Sequence, residues 1–191
     1  ELQNTKFTEN DLKDTNFSRS NLSGSVFKKN DMFNVNFKES KMDNITFIDI
    51  NNIIFNWISQ IEHDSEEHPQ IKNIKIINCE DKKINPQQEI YEIEFMHFIK
   101  PEFIKSTFIE RKFNNVDFYD GNFTEITFTS ESNINRINIM NNVYFKNTTF
   151  SQCIYHNVVI RNTDYIDCGI FNCLYSGCEI HNVKMTTSNH S

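Results

Sequence analysis

The sequence predicts an all-β solenoid, a square coil with five residues to a side, carrying an irregular insertion. Three observations point there. From Leu2 to Phe47 an apolar residue falls at every fifth position: Leu2, Phe7, Leu12, Phe17, Leu22, Phe27, Met32, Phe37, Met42 and Phe47. A helix repeats its apolar face every three or four residues and a strand every two, so a period of five marks a repeat. Residues twenty apart also match in kind. Phe7, Phe27 and Phe47 form one column and Phe17 and Phe37 a second, while Leu12 aligns with Met32 and Leu22 with Met42. Finally, hydrophobic residues make up 38%, yet there are 18 Phe and one Trp. That suits a narrow tube filled by a few repeated side chains.

The first block covers residues 1–50. Two positions before each central residue stands something small or β-branched, as in Thr5, Asn10, Thr15, Ser20 and Ser25. One position before it is often Asp or Asn, as in Asp11, Asn16, Asn21, Asp31 and Asn36. The two following positions are mostly polar. The central and small residues therefore point inward, and the other three form the corner and outer face. Four units close one coil, and coils stack at roughly 4.8 Å. Asn and Ile are abundant, which reads in part as coding bias.

Units such as Asn10 to Asp14 (NDLKD), Thr15 to Arg19 (TNFSR) and Ser20 to Gly24 (SNLSG) resemble the signature of the pentapeptide-repeat family. The small position here is Ser, Thr, Asn or Cys where the family favours Ala. The resemblance implies a right-handed quadrilateral β-helix.

Residues 51–92 break the period and read as an irregular, acidic insertion with a short helix and loops. Ile54, Trp57, Ile58 and Ile61 share one helical face, and a polar loop follows to Pro69. Ile74, Ile76 and Ile84, then Tyr91, Ile93 and Phe95, alternate like strands, with a turn at Asn85-Pro86. Residues 93–191 return to the same β-helix. The second block runs through Ile93, Phe98, Phe103, Phe108, Phe113, Phe118, Phe123 and Phe128. Ile134 and Ile139 follow one residue out of step, so the slips near 129–134 and 140–145 read as corner bulges. The third block runs Phe145, Phe150, Tyr155, Ile160, Tyr165, Ile170, Tyr175, Ile180 and Met185.

The charge balance narrows the function classes. The net charge is −7, which disfavours direct nucleic-acid binding. Residues 1–50 and 103–191 each carry eight acids and seven bases, whereas residues 51–102 carry ten and five. No apolar run has the length of a membrane span. Of the five Cys, residues 153, 168, 173 and 178 follow repeat spacing, unlike a C-x-x-C metal motif. They read as small buried thiols in a reducing compartment, with a disulfide or metal site as the alternative. Gly occurs only at 24, 121, 169 and 177, so no phosphate-binding loop is present, and no nucleophile–base motif appears. The chain is read as non-enzymatic, with no cofactor and no metal.

Loops on a rigid scaffold are where binding residues concentrate. The candidates are Trp57 and the carboxylates Glu62, Asp64, Glu66 and Glu67. Trp is enriched at interface hot spots, although Trp57 would also anchor the short helix to the solenoid wall. The expected role is a protein-binding scaffold. The family resemblance implies two settings for it: binding DNA gyrase or topoisomerase IV as an acidic mimic of duplex DNA, or an interaction domain of a larger secreted bacterial effector with an E3-ligase-like part. The first places the protein in the cytoplasm and the second inside a host cell, facing a host protein. The repeat register reaches Leu2 and Met185 with no cap. The ends are therefore expected to pair with another copy, forming a homodimer, or to continue into flanking segments.

Overall fold

The computed structural model describes residues 1–33, 35–37, 40–50, 70–79, 92–109, 112–130 and 138–188. Among these every element is a strand, and each five-residue unit forms one side of a square coil. The strands Lys6–Thr8, Val26–Lys28 and Thr46–Ile48 are three residues long and centred on the Phe. Strand alternation turns the centre inward and its two neighbours outward. The chain must then turn sharply before the next centre. It does so at the residue two positions on, where φ is positive: 55° at Asn4 and Asp14, 59° at Asn44, 50° at Asn147. Among the described residues, twenty-two non-glycine residues take this conformation, of which eleven are Asn and four Asp; Gly24 and Gly177 take it as well. The left-handed region costs an L-residue roughly 1–2 kcal/mol, and Asn and Asp are among the residues that tolerate it best. Much of the asparagine abundance is therefore a corner requirement, where the sequence suggested coding bias.

The other polar positions complete the backbone accounting. The Asp or Asn before each centre accepts from the backbone two residues on: Lys13 N–H to Asp11 Oδ1 at 3.1 Å, Ser18 N–H to Asn16 Oδ1 at 2.9 Å. The small inward residue ties coil to coil. Ser25 Oγ donates to the carbonyl of Leu2 at 2.7 Å and accepts from Thr5 N–H at 3.2 Å. The Cys thiols play the same part, with Cys153 Sγ donating to Phe123 O and Cys168 Sγ to Phe145 O, both at 3.4 Å. An alanine there would leave those carbonyls one donor short.

The strands form three parallel sheets along the sides of the coil. One has eight strands, from Lys6–Thr8 to Gly169–Phe171, and its inward column reads Phe7, Phe27, Phe47, Ile76, Phe103, Phe123, Phe150 and Ile170. A second has four, centred on Phe108, Phe128, Tyr155 and Tyr175. A third has six, and its long strands (Glu92–Ile99, Lys112–Tyr119, Asn138–Lys146, Val158–Ile166 and Glu179–Thr186) bend through a corner and supply two sides each. In the first block two further sides are marked by the bridges Asp11↔Asp31 and Asn16↔Asn36. Parallel crossovers of this kind are right-handed, and the molecule is a right-handed quadrilateral β-helix.

The columns expected from the sequence are the core. Phe7 stacks on Phe27 at 4.6 Å and Phe27 on Phe47 at 5.3 Å, while Phe17 and Phe37 stack at 5.5 Å on another side. The ladder Phe98, Phe118, Phe145 and Tyr165 repeats at 5.0, 5.0 and 4.9 Å. Between sides the rings meet edge to face, as Phe118 does with Phe123 at 79°. Such pairs contribute about 0.5–1.5 kcal/mol beyond their burial.

Coil length is not constant. Successive centres on the eight-stranded side are 20 residues apart for Phe7 to Phe27 and Phe103 to Phe123. They are 29 apart for Phe47 to Ile76, and 27 apart for Ile76 to Phe103 and Phe123 to Phe150. The register locates each excess. It falls after the eight-stranded side and before the six-stranded sheet: between Phe47 and Ile71, between Ile76 and Ile93, and between Phe128 and Met140. Each excess thus falls between the eight-stranded side and a later strand of the six-stranded sheet. Near 129–145 the corner bulges expected from the sequence are one seven-residue excess between two sides. Met140, not Ile139, is the inward residue, buried and paired with Phe113 and Ile160. Within 51–92, residues 70–77 form two strands of the coil; the helical face at 54–61 lies outside the described residues.

Truncating a ladder ring in mid-stack removes contacts to the coils above and below. Phe118→Ala is expected to cost about 3–5 kcal/mol in chemical denaturation. Tyr155 behaves oppositely. It is fully buried, its ring is parallel to Tyr175 at 4.6 Å, and among the described residues its Oη has no partner within hydrogen-bond geometry. Burial pushes its hydroxyl pKa well up. Tyr155→Phe removes an unsatisfied buried group, so stability should hold or rise by about 1 kcal/mol; a loss of several kcal/mol would show that the hydroxyl has a partner.

Candidate protein-binding surface

The tube interior leaves little room for a ligand. A void lined by Phe113, Phe118, Phe123, Phe128, Met140, Val143 and Phe145 holds about 10 Å³. That is near the threshold for one water molecule, and its lining offers no polar partners. Cys153 and Cys79 are buried, which pushes their thiols up to about 12 and about 11 respectively, away from reactive thiolate. Recognition chemistry in the described coils therefore belongs to the outer faces and the ends.

On those faces carboxylates pair with cations one coil away. Lys13 meets Asp31 at 2.9 Å, Lys29 meets Glu9 at 3.5 Å and Arg161 meets Glu179 at 3.6 Å; Lys75 with Glu102 and Lys105 with Glu125 repeat the pattern. Exposed pairs contribute about 0–1 kcal/mol each. Their larger effect is to neutralise the face. Other acids serve the backbone or the corners: Asp43 Oδ1 accepts from Lys72 N–H at 3.0 Å, and Asp49 Oδ1 accepts from Asn78 Nδ2 at 2.7 Å.

The six-stranded face differs. Register places His97, Asp117, Tyr144, Asp164 and Lys184 in one outward column. Tyr119 lies beside Asp117, and its Oη donates to Asp117 Oδ2 at 3.2 Å; His97 Nε2 is 3.3 Å from the same oxygen. Partial burial, with Asp117 nearby, pushes the Tyr119 hydroxyl pKa up. The Tyr119 ring stands 5.7 Å from Tyr144 at 55° and 6.1 Å from His97 at 43°. Two tyrosines, an imidazole and a carboxylate thus share one half-buried patch, a composition typical of interface hot spots. Sequence reading missed it because Asp117 and Tyr144 are 27 residues apart, and a twenty-residue period does not align them.

The C-terminal end exposes Phe171 at 57%, Leu174 at 58%, Ile180 at 53% and Met185 at 64%. At the other end Leu2, Phe7 and Leu12 are partly buried. The residues favoured by the sequence, Trp57, Glu62, Asp64, Glu66 and Glu67, lie outside the described residues. Their segment is anchored at both ends: Ile50 is fully buried before it, and Ile71, 3% exposed, pairs with Phe98 after it.

Residues 11–49 match the family model for pentapeptide repeats, in eight copies. No curated protein matches the chain. Among solved structures, HetL from the cyanobacterium Nostoc, a pentapeptide repeat protein involved in heterocyst differentiation regulation, is similar at 7% identity and a TM-score of 0.49. The match covers 93% of this chain and 86% of HetL. Two trypsin-treated forms of QnrB1, a plasmid-mediated fluoroquinolone resistance protein, are similar at 13% and 12% identity, with TM-scores of 0.44 and 0.46. These matches cover 98% and 99% of this chain and 82% and 86% of QnrB1. The family's repeat is thus matched in the first block, at residues 11–49, and strands of the same coil continue to Thr186.

Proposed function

We propose that this protein is a non-catalytic protein-binding scaffold, and that a type II topoisomerase such as DNA gyrase is its most concrete partner. The observation that carries the reading is where the charge sits. Residues 51–69 carry four acids and no Lys or Arg, residues 80–91 three and two, and residues 131–137 one and one, a net −5 of the chain's −7. Each of these segments falls between the eight-stranded side and a later strand of the six-stranded sheet. The stacked core rings hold the scaffold together, and the acidic segments, with Trp57, Glu62, Asp64, Glu66 and Glu67, supply contact to a basic surface. The family resemblance supports the choice of topoisomerase.

The pairing of carboxylates along the described faces supports a second reading. A mimic of duplex DNA needs a long uncompensated row of negative charge, and these faces are balanced. An interaction domain of a larger bacterial effector, bound to a host protein, has no such need. For self-association, the exposed apolar C-terminal end supports a homodimer; sedimentation at micromolar concentration is expected to give twice the chain mass, and a strict monomer would rule this out.

A supercoiling assay with DNA gyrase separates the two settings. Micromolar protein is expected to inhibit supercoiling or to protect the enzyme from a quinolone, and the joint substitution of Glu62, Glu66 and Glu67 by Gln and Asp64 by Asn is expected to weaken that effect about tenfold. Absence of inhibition and protection would remove the topoisomerase and leave the effector reading.

A further inference from the structure

We infer that the Tyr119–Tyr144 pair, set between Asp117 and Asp164 on the six-stranded face, receives an arginine side chain from a protein partner. The face rises in the order His97, Asp117, Tyr144, Asp164 and Lys184, one residue per coil. The two carboxylates therefore flank the Tyr144 ring from adjacent coils, about 10 Å apart at the usual strand spacing. That leaves room for a planar guanidinium over the ring with one edge toward each carboxylate. Stacking on an aromatic face and a forked hydrogen bond to carboxylate are the two contacts arginine makes better than lysine.

The two acids are differently prepared. Asp117 is fixed, with Tyr119 Oη donating to it and His97 beside it. Asp164 is half-buried and, among the described residues, makes no hydrogen bond or ion pair. Two acids at the corresponding position on other faces, Asp31 and Glu102, each already hold a lysine from the adjacent coil. Asp164 is thus a carboxylate beside an aromatic ring whose cation is not supplied by the coil. Lys184, next in the column, is exposed on the last coil and competes weakly for it.

The site rests on the reading of the outer faces as binding surfaces, but not on the topoisomerase. The test is an NMR titration of the whole protein, at low salt, with a capped Gly-Arg-Gly peptide and with its uncharged citrulline counterpart. The arginine peptide is expected to shift the ring resonances of Tyr119, Tyr144 and His97, and the citrulline peptide to leave them in place. Asp164→Asn should weaken the interaction about threefold or more, Tyr144→Ala should abolish it, and Lys184→Gln should tighten it. Unchanged core ring resonances report that each variant is folded. Shifts confined to the Glu62–Glu67 segment, equal affinity for Asp164→Asn, or no shift at millimolar peptide would each overturn the site while leaving the scaffold reading intact. A negative gyrase assay would leave the site standing.

Discussion

The structure depends on one backbone constraint: the chain turns a corner every five residues, and it does so through a residue held near φ +50° to +60°. Once that corner is set, the remaining positions have little choice. The centre faces the axis and must be apolar and large enough to fill the tube. The residue two before it faces the axis at the bend: Ser25 and Cys153 there donate to a carbonyl of the previous coil, while Ile45 and Val116 there fill the core with an aliphatic side chain. The residue just before the centre lies where a side-chain oxygen can accept from the turn. Asn and Asp at the corner also link coil to coil, as when Asn147 Nδ2 donates to Asp120 Oδ1 and Asn73 Nδ2 to Asn44 Oδ1. These four positions thus have separate physical jobs, and none depends on a distant contact except through the coil above or below.

That locality explains what could be read from the chain. The inward columns were legible because each centre recurs at a fixed interval: Phe7 over Phe27 and Tyr155 over Tyr175 needed only counting. The corner was hidden in plain composition, since Asn at Asn142, Asn147 and Asn157 looks like bias until φ is known. Met140 is hidden as a centre because the seven extra residues after Phe128 carry Ile134, so that counting by fives leads to Ile139. The Asp117, Tyr119 and Tyr144 patch was not legible, because it is made by stacking across a coil of 27. Periodicity reports what each unit does; only the register reports which units meet.

The same economy bears on function. A tube filled by stacked rings leaves its interior closed, so binding falls to features the repeat does not need. One such feature stands out among the described residues: an aromatic and carboxylate patch on the six-stranded face. Elsewhere on the described surface, Lys13, Lys29, Lys75, Lys105 and Arg161 each pair with a carboxylate of a neighbouring coil. A rigid, largely neutral shaft with localised exceptions is a physical basis for selective protein recognition, since affinity then concentrates in a few places.

The central claim is that the coil continues unbroken past each excursion, so that residues 27 apart stack as closely as residues 20 apart. Ring-to-ring nuclear Overhauser contacts test it directly. The account predicts contacts between Phe118 and Phe145 and between Phe123 and Phe150, as strong as those between Phe103 and Phe123. Their absence, or contacts placing Phe145 above the residue twenty before it, Glu125, would contradict it.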